Sequence, residues 1–181
     1  MTMIYRTALR LMGRSAWVDP ASGDDPLSAM TADVVARHPA IEHWWSADLA
    51  ALLATNPERV ALFDVRQPAE FAISHLPAAQ LVVPGGGSSM AMVLAALKAR
   101  PDTEVAVFYC AVGVRSSALA NRVQRAGLMP TLRVVNLAGG LFGWANSGRA
   151  MTNADGTTRA IHSFNRHWQR FLVRRGAEEG R

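Results

Sequence analysis

The chain has 181 residues, half of them apolar, with 19 basic and 14 acidic side chains, a net charge of +5 and one cysteine. That length can bury the core of one domain, and the lack of an uncharged apolar run of about 18 residues argues against a transmembrane helix. A single cysteine excludes an internal disulfide and a CxxC redox pair, so any thiol chemistry falls on Cys110.

From the start of the chain, Arg6, Arg10 and Arg14 are four apart with Ile4, Leu9, Leu11 and Met12 between them, the pattern of a basic amphipathic helix. It has no apolar h-region of a secretory signal; its composition fits a transit peptide and a short surface helix equally. Residues 19–27 are rich in turn formers and read as a loop. Met30 to Arg37 reads as a short helix stopped by Pro39. Ser46 is a good N-cap for a helix from Ala47 to about Thr55, ended by Asn56-Pro57. Val60 to Val65 is apolar enough for a central strand. Pro68 suits the first turn of a short helix carrying Glu70 and Phe71. Leu81 to Val83 reads as a short buried strand, and Gly85 to Ser89 as a flexible connection into a helix from about Met90 to Ala99.

Val105 to Tyr109 is a buried strand that delivers Cys110 into a short loop, after which a helix runs from Ser116 to Ala126 with Gly127 as C-cap. A thiol placed there meets backbone N–H groups and the positive end of a helix dipole, both of which favour a thiolate. Gly113 suits a tight ring that needs positive φ. Ser116 and Ser117 stand where hydroxyls would cap the first helix donors. Arg133 to Leu137 is a further strand, and Leu141 to Ser147 a short helix. From Arg159 to Arg175 the pattern is helical, with Ile161, Phe164, Trp168 and Leu172 on a stripe expected to pack back on the domain. Strands alternating with helices imply α/β architecture, a parallel sheet covered on both faces.

Four motifs carry a resemblance. Cys110 and Arg115 are separated by four residues and followed by two serines, and this loop resembles the C-x-x-G-x-R-S loop of the rhodanese family of sulfurtransferases. Leu62-Phe-Asp64-Val-Arg66-Gln-Pro-Ala-Glu70-Phe71 is similar to that family's D-V-R-x-x-x-E-F segment. Ser74-His75-Leu-Pro77-Ala78-Ala79 resembles G-H-I-P-G-A, with Ser74 and Ala78 in place of the usual glycines. Leu137-Ala-Gly139-Gly140-Leu-Phe-Gly-Trp144 and the residues to Gly148 resemble the closing L-x-G-G-x-x-x-W-x-x-x-G, with Trp144 as the core tryptophan.

The resemblance implies a rhodanese-like α/β fold with a central parallel sheet of about five strands. Around that domain, taken as 41–150, the residue pattern reads as an N-terminal extension of loop and short helices over 1–40 and a C-terminal basic amphipathic helix over 151–181. The resemblance implies sulfane-sulfur transfer through a persulfide on Cys110, from a small sulfur donor (thiosulfate, a persulfide or a polysulfide) to a thiol acceptor, or from a persulfidated protein. Ala111, Val112, Gly113, Val114, Arg115 and Ser116 would cradle the sulfur, and Arg115 would brace the loop carbonyls or an acidic neighbour. Asp64, Arg66, Glu70 and His75 would form a supporting polar network, as scaffold rather than as catalysts.

Loop size separates neighbouring chemistries. Related phosphatases carry C-x5-R, a wider ring, and many place His before the cysteine where this chain has Tyr109; both facts disfavour phosphatase or arsenate reductase activity. Many thiosulfate-using members carry another Arg or Lys in the loop, whereas positions 111, 112 and 114 here are Ala, Val and Val. A persulfide or polysulfide donor suits that mouth better than a dianion. The bare loop also leaves open a binding or regulatory module with weak catalysis.

No cofactor is implied. His162 and His167 are five apart and joined by no Cys or acidic cluster, so no metal site is expected. Gly85 to Ser89 lacks the Lys-Ser/Thr of a phosphate-binding loop. Arg166, Arg170 and Arg174 form a basic stripe that suits an anionic partner or a solvated helix face, and no aromatic-interleaved motif favours nucleic acid. A cytoplasmic location is expected.

Overall fold

The computed structural model describes residues 26–83, 85–127, 129–162 and 166–172. Two strands, β2 (Val60–Asp64) and β4 (Val105–Tyr109), are buried at every position, as strands covered on both faces must be. Around them stand β1 (Glu42–Trp44), β3 (Gln80–Leu81) and β5 (Arg133–Leu137) in the order β1-β5-β4-β2-β3, with every pair parallel.

Period-two alternation splits the core into two layers. Ala61, Phe63, Ala106, Phe108 and Val134 face α4 (Gly86–Lys98) and α5 (Val114–Ala126), meeting Val93, Leu97, Leu119 and Val123. Val60, Leu62, Val105, Val107 and Val135 face α2 (Ser46–Thr55) and α6 (Gly140–Asn146), meeting Leu49, Leu52, Leu141 and Trp144. Phe63 and Phe108 stack with ring centroids 5.0 Å apart. The Trp144 indole N–H donates to the Ala150 carbonyl at 2.9 Å.

Two further helices lie at the carboxyl edge of the sheet. α3 (Pro68–Ile73) follows β2. α1 (Pro26–Arg37) contributes Leu27 to a third cluster with Ala111, Val112, Phe142 and Phe171. A hairpin of β6 (Met151–Asn153) and β7 (Gly156–Thr158) is tied to the turn after α3 by paired backbone bonds of 2.8 Å between His75 and Thr152. The chain ends its described course in α7 (Arg166–Gln169) and the residues to Leu172.

Several expectations are corrected. The helix over Arg159 to Arg175 is instead an irregular stretch at 159–162 and the four-residue α7, preceded by the β6–β7 hairpin within 151–158. The hairpin has a local cause: Asn153 Oδ1 accepts the Asp155 N–H at 2.9 Å, and Gly156 takes φ 116°. That Asp-Gly step is a turn signal that the helical periodicity downstream obscures. Ile161, Trp168 and Leu172 do pack against the domain, but the buried anchor is Phe171, at 2% exposure, which lies off the expected stripe.

Gly86 to Ser89 is not a loose connection but the first turn of α4. Ser88 Oγ donates to the Gly85 carbonyl at 2.7 Å and Ser89 Oγ to the Val83 carbonyl at 2.8 Å. Burial of Val93 and Leu97 then supports the helix that two glycines would disfavour in isolation. The first residue of α2 is Ser46 itself; Trp45 precedes it in extended conformation, its N–H held by Asp48 Oδ2 at 3.1 Å. Ala78 takes φ 61°, so the turn keeps a left-handed residue without glycine, at a cost of about 1–2 kcal/mol. The basic N-terminal helix, Phe164 and Arg174 lie outside the described residues. Among the described residues no helix is long and apolar enough to cross a membrane.

Candidate active site

β4 lies between β5 and β2, and at its carboxyl end Cys110 leaves the sheet, the edge at which open parallel sheets bind ligands. Residues 110–113 turn sharply into α5. Gly113, at φ 94°, allows that turn, and its N–H points back at Cys110 Sγ, 3.3 Å away. A Cβ there would stand 3.2 Å from Asn136 Nδ2 and 3.3 Å from the Leu137 carbonyl oxygen. Cys110 is 1% exposed.

Another helix holds the carbonyls of Cys110 and Ala111. Leu141 N–H donates to the Cys110 carbonyl at 2.8 Å, and Phe142 N–H to the Ala111 carbonyl at 2.9 Å. These are first-turn donors of α6, which helix geometry leaves unpaired. The close approach depends on Gly140, whose φ is 56° and whose Cβ would fall 2.5 Å from the Cys110 carbonyl oxygen. In the sequence the pair Gly139-Gly140 stands only as part of a motif; its loop-shaping role arises from contact between two distant segments.

Arg115, half-buried in the first turn of α5, forms a two-pronged ion pair with Glu70 on α3, Nη1 to Oε2 at 3.1 Å and Nη2 to Oε1 at 3.0 Å. Glu70 is buried, and its Oε2 also accepts the Gln67 N–H at 3.0 Å, which caps α3. Burial pulls the Arg115 guanidinium pKa down, but the Glu70 hydrogen bond and the electrostatic interactions with Cys110 and Glu70 outweigh it and hold it above its ordinary value. The cation therefore serves both the loop and the acid that locks α3. Replacing Arg115 with alanine would leave the buried Glu70 carboxylate without its cation. The expected loss is about 1–3 kcal/mol by urea denaturation, reduced from a fully buried pair because Arg115 is 35% exposed; an unchanged midpoint would show that the pair does not hold the loop.

The two serines do not cap α5. The helix begins at Val114, ahead of both. Ser116 Oγ donates to Asn136 Oδ1 at 2.7 Å and Ser117 Oγ to the Val114 carbonyl at 2.9 Å. Asn136 Nδ2 donates in turn to His43 Nδ1 at 3.2 Å, and His43 Nε2 to the His38 carbonyl at 3.1 Å. This chain ties α5, β5 and β1 behind the loop. Burial lowers the His43 pKa below its ordinary value, which suits the neutral ring that the Asn136 donor requires.

Asp64 and Arg66 form a buried ion pair, Nε to Oδ1 at 2.9 Å and Nη2 to Oδ2 at 2.6 Å, and Arg66 also holds the Ser74 carbonyl. The pair thus secures the turn after α3. The Tyr109 hydroxyl accepts the Leu76 N–H in that turn at 3.0 Å. Burial and the Asp64 charge push Tyr109 well above the ordinary phenol range. His75 stacks on Phe71 at 3.7 Å with Nδ1 2.9 Å from the Phe71 carbonyl. Of the predicted site residues, Ala111, Val112, Gly113, Val114 and Arg115 lie with Cys110 and Glu70 joins them through Arg115, whereas Ser116 turns to Asn136, Arg66 binds Asp64 and the Ser74 carbonyl, and His75 binds Phe71. Among the described residues no group of three His, Cys, Asp or Glu is placed to hold a metal ion.

Comparison with known proteins matches a family model, described as Rhodanese-like domain, to residues 46–147. A probable adenylyltransferase/sulfurtransferase, MoeZ of Mycobacterium tuberculosis, is 39% identical over 90 residues. That alignment covers 48% of this chain and 20% of the relative, so the chain spans about a fifth of that protein's length. Among solved structures, thiosulfate sulfurtransferase from Pseudomonas aeruginosa superposes with TM-score 0.54 at 21% identity, covering 81% of this chain and 27% of the other. The As-Sb reductase of Leishmania major superposes with TM-score 0.50 at 23% identity, covering 59% and 78%. Two chemistries share this architecture, so likeness at such identity shows the fold alone.

Proposed function

Because the chain belongs to the rhodanese-like domain family, we propose that it is a sulfurtransferase carrying a sulfane sulfur as a persulfide on Cys110. The observation that carries the reading is the Gly113 N–H directed at Cys110 Sγ at 3.3 Å, in a loop whose Cys110 and Ala111 carbonyls are tied to α6. Such a ring stabilises negative charge on sulfur and needs no reorganisation when a sulfur atom is added.

The Cys110 thiolate attacks the outer sulfur of the donor. The Sγ–S bond forms, the donor's S–S bond breaks, and the leaving group departs with the electron pair. A nucleophilic acceptor then removes the outer sulfur and regenerates the thiolate, a two-stage covalent cycle. The ring of four residues between Cys110 and Arg115 suits one added sulfur better than a phosphoryl group.

The test is intact-protein mass spectrometry after brief exposure to thiosulfate or glutathione persulfide, followed by cyanide. The expected result is a gain of one sulfur at Cys110 that cyanide removes with release of thiocyanate. A folded protein that gains no sulfur from either donor would overturn the proposal in favour of a catalytically silent binding module.

A further inference from the structure

Two segments outside the matched domain converge over the catalytic loop. From α1, Leu27 is buried against the cluster of Ala111, Val112 and Phe142; from the C-terminal side, Phe171 joins the same cluster at 2% exposure. Asn146 Nδ2 holds the Phe171 carbonyl at 2.8 Å, which fixes that segment to α6. Met30 and Trp168, one from each segment, are left at the rim. With Val112 and Val114 they wall a cavity of about 320 Å³ that opens onto Cys110 and Arg115.

The character of this cavity restricts what enters it. Its walls are apolar, and Val114 keeps 38% of its surface exposed there. Among the described residues lining it, Arg115 is the one charged group, and Glu70 already balances its charge. A doubly charged inorganic donor would shed its hydration into apolar walls with little compensating charge. An organic substituent would instead bury apolar surface. The volume lies at the lower end of the roughly 300–1,000 Å³ typical of small-ligand sites, which suits an organic group attached to the reacting sulfur pair.

We infer that the sulfur donor is a singly charged organic sulfane compound whose apolar substituent lies against Met30, Val114 and Trp168. The inference rests on the sulfurtransferase reading above. The step conserves atoms and electrons: Cys110 Sγ takes the terminal sulfur, and the organic fragment leaves as its thiolate or sulfinate with the electron pair of the broken S–S bond. No external oxidant or reductant enters.

Three stable donors test it, with cyanide as acceptor and thiocyanate as readout. Benzenethiosulfonate and methanethiosulfonate carry the same single charge and differ in apolar size; thiosulfate carries two charges. The expected order of kcat/KM is benzenethiosulfonate, methanethiosulfonate, thiosulfate, with about tenfold between the first two. In Trp168→Ala the ratio of the phenyl to the methyl donor should fall towards one. In Val114→Lys, an exposed position that tolerates a charge, thiosulfate should gain about tenfold relative to benzenethiosulfonate; this variant carries the test if Trp168→Ala does not fold. Thiosulfate used as well as benzenethiosulfonate by the unaltered protein, or ratios that neither variant moves, would overturn the inference and leave the sulfurtransferase reading standing. Failure of every donor to place sulfur on Cys110 of the folded protein would overturn both.

Discussion

Cys110→Ser is expected to give a folded protein that acquires no sulfur from any donor and releases no thiocyanate. The hydroxyl can still accept the Gly113 N–H that the thiol accepts at 3.3 Å, and the change in volume is small at a site 1% exposed. Stability should therefore stay within about 1 kcal/mol of the parent. Chemistry should not survive, because a serine hydroxyl neither ionises at neutral pH nor forms a persulfide; the expected fall in turnover is at least about a thousandfold. Since Cys110 is the chain's one cysteine, no other thiol can take its place. Turnover retained by the serine variant would remove the persulfide from the mechanism altogether, whereas loss of turnover with loss of the thermal transition would report only unfolding.

The second large effect is expected from a methyl group. Gly140→Ala would place a Cβ 2.5 Å from the Cys110 carbonyl oxygen and 2.7 Å from the Ala111 carbonyl carbon and oxygen. These contacts are with backbone, so relief requires the Cys110 loop and α6 to separate, and the bonds from Leu141 and Phe142 N–H to the loop carbonyls would be lost. Gly127 supplies the comparison. Its φ of 61° is close to the 56° of Gly140, but a Cβ at Gly127 would meet nothing within 4 Å. Gly127→Ala should cost about 1–2 kcal/mol for left-handed backbone alone. Gly140→Ala should cost about 1–3 kcal/mol more through overpacking, and a loop displaced by about 1 Å should lower sulfur transfer by about a hundredfold. Urea denaturation and the thiocyanate assay measure the two effects on the same samples. Equal destabilisation by the two substitutions would mean that Gly140 serves only its own backbone conformation and that α6 does not shape the loop.

Much of this molecule is legible in its sequence because the informative features are local. Largely apolar runs identify Val60 to Val65 and Val105 to Tyr109 as central strands, and both stretches are buried throughout. Arg133 to Leu137 matches to the residue, and Pro68 opens the expected helix. The glycine-rich stretch from Gly85 misleads because intrinsic propensity favours a loop, while burial of Val93 and Leu97 decides for a helix. The C-terminal segment misleads for a related reason. Its apolar spacing suits a long helix, but an Asp-Gly turn and the anchoring of Phe171 leave only α7 helical in that segment among the described residues.

The chain by itself picked out the candidate side chains: one thiol, the four residues that separate it from Arg115, and the motifs that accompany it in order. Those follow from covalent spacing and from strand and helix periodicity, which operate over a few residues. What meets what was decided by the tertiary structure. Arg115 finds Glu70, the loop carbonyls find the N-terminus of α6, Ser116 finds Asn136 instead of capping its own helix, and Met30 and Trp168 reach the rim of the same cavity. Each of these pairs joins residues distant in the chain, held together by the packing of the sheet and its covering layers, and no local periodicity encodes that proximity.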